Sequence, residues 1–200
     1  MAIAINGSTN VITGVAVGGL PDAIVDADML ASNAVTAGKL ASGVGGKILQ
    51  VINSIKTDTQ STGASSNFVD ITGLSVAITP TSSSNKILIC CNITAGHSGT
   101  GNVFGFRLMR GSTAIAVGDA DGNRRQWTFG EMTAYSNTNN TTRNVAGTFL
   151  DSPSTTSATT YKLQLYNKYN TVYINRSGED SNSENHGRGV SAITVMEVAA

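Results

Sequence analysis

This chain is short of charge. Only 13% of its 200 residues are Asp, Glu, Lys or Arg, about half the roughly 25% of ordinary soluble domains. The 13 basic and 13 acidic side chains cancel. Nucleic acids and anionic membranes are held by clustered Lys and Arg. The densest basic spot is Arg124-Arg125, so neither is expected as a partner. Cysteine is equally scarce: Cys90 and Cys91 stand side by side in an apolar run. Neighbours on a strand point to opposite faces. A mutual disulfide is therefore not expected, and both read as small buried residues of a chain made in a reducing cytoplasm. His97 and His186 are the only histidines, and no G-x-S-x-G, H-E-x-x-H or P-loop occurs. No apolar run approaches the ~18 residues of a membrane helix. The N-terminus lacks a basic n-region, and Asn6-Gly7-Ser8 interrupts it, so neither a secretory signal nor membrane insertion is expected.

What fills the space is Ser, Thr, Asn and 22 glycines, arranged in two ways. Residues 1–45 carry a ten-residue beat, with Val15, Val25 and Val35 at one phase and Leu20, Leu30 and Leu40 at the other. The units Ile24 to Ser32 and Ala34 to Ser42 align almost residue for residue. Asp26 and Thr36 fall at the same place in each, as N-caps for a single helical turn. A unit with one Val and one Leu cannot bury its own apolar face, and gains stability only by stacking on neighbours. One side chain per layer every five residues suits a narrow shared axis. The segment therefore reads as an attachment and stalk region, with those six residues as contacts of a homotrimer.

After Gly43-Val44-Gly45-Gly46 the pattern changes to short alternating runs between polar turns, the mark of antiparallel β structure. Strands are expected at 47–56, 68–79, 86–95, 103–110, 114–117, 125–135, 145–150, 161–166, 172–175 and 189–198. Ile87, Ile89, Cys91 and Ile93 share one face, as do Phe104, Phe106 and Leu108, and Tyr161, Leu163 and Leu165. Turns fall at Thr81–Asn85, Arg110-Gly111-Ser112, Asp121-Gly122-Asn123 and Asn137–Asn140. Eight to ten short strands without a long helix imply an all-β chain whose residues 46–200 form an antiparallel β-sandwich, jelly-roll-like.

Several segments in fixed order carry a resemblance. They are G-G-K-I-L-Q-V (Gly45 to Val51), T-G-L-S-V-A-I-T-P (Thr72 to Pro80), S-S-S-N-K-I-L-I (Ser82 to Ile89) and L-M-R-G-S-T (Leu108 to Thr113). D-S-P-S-T-T-S-A-T-T-Y (Asp151 to Tyr161) and A-I-T-V-M-E-V (Ala192 to Val198) follow. Together with the V-T-A-x-x-L-A unit at Val35 to Ala41, they make the chain resemble the tail fibres and small virion appendage proteins of tailed bacteriophages of aquatic bacteria. The resemblance spans nearly the whole chain and rests on order and number, since no single motif is specific. It implies a trimeric fibre located in the virion, with a jelly-roll-like tip that attaches to the host surface. Such a fibre needs no cofactor and docks on other virion proteins through its N-terminal segment.

Candidate sites follow from chemistry. Asp119–Asn123 has the oxygens of a cation loop but lacks a distal Glu and runs into Arg124-Arg125, so a plain turn is expected. Glu179, Asp180 and Glu184 would suit glycoside cleavage, yet nothing apolar stands near them to raise a pKa. His97, in A-G-H-S-G-T-G, reads as an exposed loop histidine. Exposed rings with flanking Arg or Asn suit sugars. Trp127 alternates with Phe129 and reads as core. Tyr166, Tyr169 and Tyr173 bracket a turn, and His186 and Arg188 close the polar loop from Ser177. Those five are the expected binding residues, for a glycan. The rival expectations are an appendage that binds only virion proteins and a polysaccharide-degrading spike.

Overall fold

A computed structural model describes residues 4–6, 11–13, 30, 32, 34–36, 39, 47–134 and 141–200. The chain divides into two compact units, Met1–Gly46 and Lys47–Ala200. In the first, β1 (Ala4–Asn6) pairs antiparallel with β2 (Val11–Thr13). Further along, the Lys39 amide donates to the Thr36 carbonyl at 2.8 Å, closing one turn after the repeat's Thr. Leu30 and Val35 are exposed, at 43% and 48%. Val15, Leu20, Val25 and Leu40 lie outside the described residues.

The second unit is an antiparallel β-sandwich. Its strands are β3 (Ile48–Lys56), β4 (Gln60–Thr62), β5 (Ser65–Ile78), β6 (Lys86–His97), β7 (Asn102–Arg110) and β8 (Thr113–Ile115), then β9 (Phe129–Ala134), β10 (Thr142–Asp151), β11 (Thr159–Asn167), β12 (Val172–Ile174) and β13 (Ser191–Val198). One sheet runs β3-β13-β6-β10 and the other β5-β11-β7-β9. In chain order the strands visit the sheets alternately: β3 in the first, β5 in the second, β6 back in the first, β7 and β9 in the second. The chain then returns with β10, crosses with β11 and closes with β13. Winding a long double ribbon across two layers in this order is the jelly-roll topology. Beyond the end of β13, β12 continues the pairing along β6, and β4 pairs with β12.

The alternation read from the sequence is realised in the core. Ile87, Ile89, Ile93, Phe104, Phe106, Leu108, Tyr161, Leu163 and Leu165 are fully buried between the sheets, with Cys91 beside them. Burying each such side chain contributes about 1.5–3 kcal/mol, which fixes the register, since a slip of one residue would turn the apolar set outward. Gly73, at φ +84°, takes up a bulge in β5 that lets Ile71 and Leu74 both face inward.

Three readings are corrected by the structure. β4, with the sequence Gln-Ser-Thr, has no apolar residue to signal it and exists through its pairing with β12. His97 is buried against the ring of Phe104, at 6.0 Å between centroids, because β6 runs two residues past Ala95 and pairs there with Val172. Residues 125–127 are irregular, and β9 starts only at Phe129. Tyr135 and the Asn137–Asn140 turn lie outside the described residues.

Candidate functional site: an aromatic cleft

The outer face of the β5-β11-β7 sheet carries polar and aromatic side chains. Asp70 on β5 accepts from Lys162 Nζ (2.7 Å) and Gln164 Nε2 (2.6 Å) on β11. The Lys162 bond, then the Gln164 bond, hold its carboxyl below the usual range. Gln164 Oε1 in turn accepts from Arg107 Nε on β7 at 2.8 Å. The Arg107 guanidinium lies over the Phe68 ring at 3.8 Å, and burial there lowers its pKa.

Beside this network β7 has Gly105 between Phe104 and Phe106. The two phenylalanines fill the core, and the missing side chain between them leaves a floor outside. Trp127 lies on that floor: a Cβ at residue 105 would stand 1.8 Å from its ring. A glycine inside a strand often marks such close approach. The indole meets Tyr166 edge-on (5.3 Å, 73°) and Phe68 likewise (6.2 Å, 66°), while Phe68 and Tyr166 are 5.5 Å apart. Each pair contributes about 0.5–1.5 kcal/mol beyond its burial. Arg125 reaches to 5.3 Å over the Tyr166 ring.

The loop from Ala116 to Thr128 is built to hold the indole. The Gly118 amide donates to the Trp127 carbonyl (3.0 Å), and Gln126 Nε2 donates back to the Gly118 carbonyl (2.7 Å). At its tip the Arg124 amide donates to the Asp121 carbonyl, and the two side chains form an ion pair. Thr128 locks the exit: its amide donates to the Phe106 carbonyl at 2.9 Å, and its hydroxyl accepts from Leu108 N and donates to the Ile115 carbonyl.

Loop and sheet enclose a cleft of about 670 Å³, within the ~300–1,000 Å³ of small-molecule sites. Trp127 and Tyr166 form its apolar wall, Asp119, Asp121, Asn123 and Gln126 supply acceptors and amides, and Arg124, Arg125 and Lys168 supply donors. Donors and acceptors thus line the same cleft as the half-buried Trp127 ring. Among the described residues no group of three His, Cys, Asp or Glu side chains is placed to hold a metal ion.

Of the five residues expected to bind, Tyr166 lines this cleft and the others do not. Tyr169 is exposed (46%) in the β11–β12 turn, under the ammonium of Lys168 at 4.9 Å. Tyr173 belongs to β12 in the other sheet, covered by the Arg176 guanidinium at 3.8 Å. His186 pairs with Ser181 Oγ (2.8 Å) and stands 3.8 Å from Glu179. Arg188 pairs with Asp180 (2.7 Å), which also lies 3.7 Å from Arg176, and Arg176 and Arg188 form a β-bridge. The loop 177–188 is thus tied internally. Asp119 and Asp121 were weighed as part of a cation loop and read as a plain turn, while Phe68, Arg107, Arg124, Gln126 and Lys168 were not read as site residues. Gly105, a glycine inside an apolar strand, was the signal for them.

The fold that carries the cleft is a jelly-roll β-sandwich. No protein-family model and no curated protein matches the chain. Among solved structures it is similar to infectious bursal disease virus, Gt strain, at 13% identity with a TM-score of 0.41, covering 76% of this chain and 38% of that one. It is also similar to the VP2 subviral particle of that virus, at 13% identity with a TM-score of 0.40, over 76% and 38%. The chain therefore spans about two fifths of the length of these structures.

Proposed function

We propose that this chain is a non-enzymatic virion structural protein, a short bacteriophage fibre whose tip adheres to the host cell through a glycan bound in the Trp127–Tyr166 cleft. The cleft is the observation that carries the reading. A sugar ring has an apolar C–H face and a rim of hydroxyls that both donate and accept. An aromatic wall flanked by amides, carboxylates and guanidinium groups matches both features. The order of sequence segments supports the fibre, and the ten-residue repeat supports a homotrimer that docks on other virion proteins through residues 1–45. No cofactor is invoked, and the site of action is the virion.

A degrading spike would need a carboxylic acid held protonated by an apolar wall beside a second carboxylate. Asp119 and Asp121 stand instead in an open loop, and Asp121 is engaged by Arg124. An appendage that binds only virion proteins remains the second reading, favoured by the sparse charge of the surface. Adsorption of the purified protein to host cells decides between them. Trp127→Ala, with β structure intact by circular dichroism, should abolish adsorption. Normal adsorption by that variant moves the contact off the cleft, and no adsorption by the wild type favours the second reading.

A further inference from the structure

The two outer faces of the sandwich differ in kind. One carries Asp70, Lys162, Arg107 and the cleft. The other, on β3-β13-β6-β10, carries an apolar row in register across all four strands: Val51 opposite Met196, Met196 opposite Leu88, and Leu88 opposite Leu150. The next row is Asn53, Thr194, Cys90 and Thr148, and the one after it Ile55, Ala192, Asn92 and Ala146. None of these twelve side chains is charged. Val51 (57%), Ile55 (60%) and Leu150 (56%) are more than half exposed, and Leu49 adds 47%. Lys47 and Lys86 stand at one end of the sheet, where the chain closes on Val198 and Ala199.

We infer that this face is the surface on which a second copy of the chain packs. A row of four apolar side chains across four strands, flanked by Leu49 and Ile55, is a stripe rather than the scattered single exposures of a monomer. With strands ~4.8 Å apart and ~6.8 Å between successive residues on one face, the twelve positions give a footprint of roughly 400 Å², about half the ~800 Å² per partner of a standard interface. A partner of opposite charge finds nothing to pair with here. Another copy of the same uncharged face meets no repulsion and leaves no buried charge unpaired. β3, an edge strand of this sheet among the described residues, follows directly in sequence from Gly43-Val44-Gly45-Gly46 and the repeat. Copies joined through the repeats would hold their sandwiches at high local concentration, so even a modest interface would close. The inference rests on the reading of the chain as a multimeric fibre and adds where its tips meet.

Cys90, in the middle row, reports on the face, because Cys91 points into the core. The experiment is light scattering of the full chain together with the rate of Cys90 modification by a maleimide. The wild type should be a multimer whose Cys90 reacts at least about ten-fold more slowly than in the double variant Val51→Glu, Leu150→Glu, where a buried charge opens the contact. Dilution of the wild type should raise the rate as copies separate, which needs no variant. A multimer whose Cys90 reacts equally fast in both proteins overturns the inference and leaves the fibre reading standing. A monomer with reactive Cys90 overturns both. A monomer with protected Cys90 assigns the cover to the chain's own residues 1–46 and also overturns the inference.

Discussion

Glu197 offers a stringent test of how the sandwich is closed. It lies on β13 with its side chain turned inward, fully buried. Oε1 accepts from the Thr81 amide (2.6 Å), the Thr81 hydroxyl (2.8 Å) and Asn85 Nδ2 (2.6 Å), and Oε2 accepts from Gln50 Nε2 (2.6 Å). One carboxylate thus joins the last strand, the first strand of the sandwich and the turn between β5 and β6. Burial pushes its carboxyl up, but the donors of Asn85, Gln50 and Thr81 outweigh this and hold it down at about 2, against an ordinary 4.5. Such a difference corresponds to about 3 kcal/mol of stability. Because the folded value is the lower one, this stability is fully present above pH 4.5 and is lost as pH falls from there toward 2. Glu197→Gln should cost about 3 kcal/mol at pH 7, or roughly 6–12 °C in Tm. By pH 3 the gap should shrink by more than half, because the wild type has then lost most of the same contribution. Asp70 and Asp58 are also held low, by Lys162 and Lys56, but they titrate alike in both proteins and cancel in the comparison. Urea unfolding at the two pH values, followed by circular dichroism, measures the effect. An equal loss at both pH values, or none at pH 7, refutes the reasoning.

Other outcomes follow from single positions. Gly105→Val should expel Trp127, shifting its fluorescence to the red and abolishing adsorption while the β content stays native, since a Cβ there meets the indole at 1.8 Å. Phe106→Ala should cost about 3–5 kcal/mol in urea unfolding, because the fully buried ring leaves a cavity between two rigid sheets. Cys91 should resist maleimide at pH 8 in every assembly state and react only on unfolding, because burial pushes its thiol up to about 12.

The sandwich was legible in the sequence where a strand buries one face and wets the other. On β6, β7 and β11 that condition writes a period of two into the residues, and the expected inward sets are the buried ones. β4 was invisible because its three polar residues are recruited by a neighbour rather than by burial. The cleft was only half legible. Tyr166 was chosen as the edge of a turn, while Trp127 was assigned to the core because its alternation with Phe129 imitates a strand. What separates the two cases is Gly105, 22 residues before Trp127 in the chain yet directly beneath the indole; periodicity within one segment cannot express such a contact. His97 was misplaced for a similar reason, since its burial comes from Val172 on β12. The loop 177–188 looked like free solvated charge, but its acids and bases lie four to eight residues apart and pair with one another.

Trp127 is the only tryptophan in the chain, so its emission reports directly on the cleft. Titrating the full protein with surface polysaccharide purified from the host should give a saturable change in that emission. The midpoint should be nearly unchanged between roughly 50 and 500 mM salt, because neutral hydroxyls rather than long-range charge carry the contact. No saturable change in Trp127 emission while the protein still adsorbs to cells, or a midpoint that weakens steeply with salt, would contradict the assignment of the cleft as the glycan site.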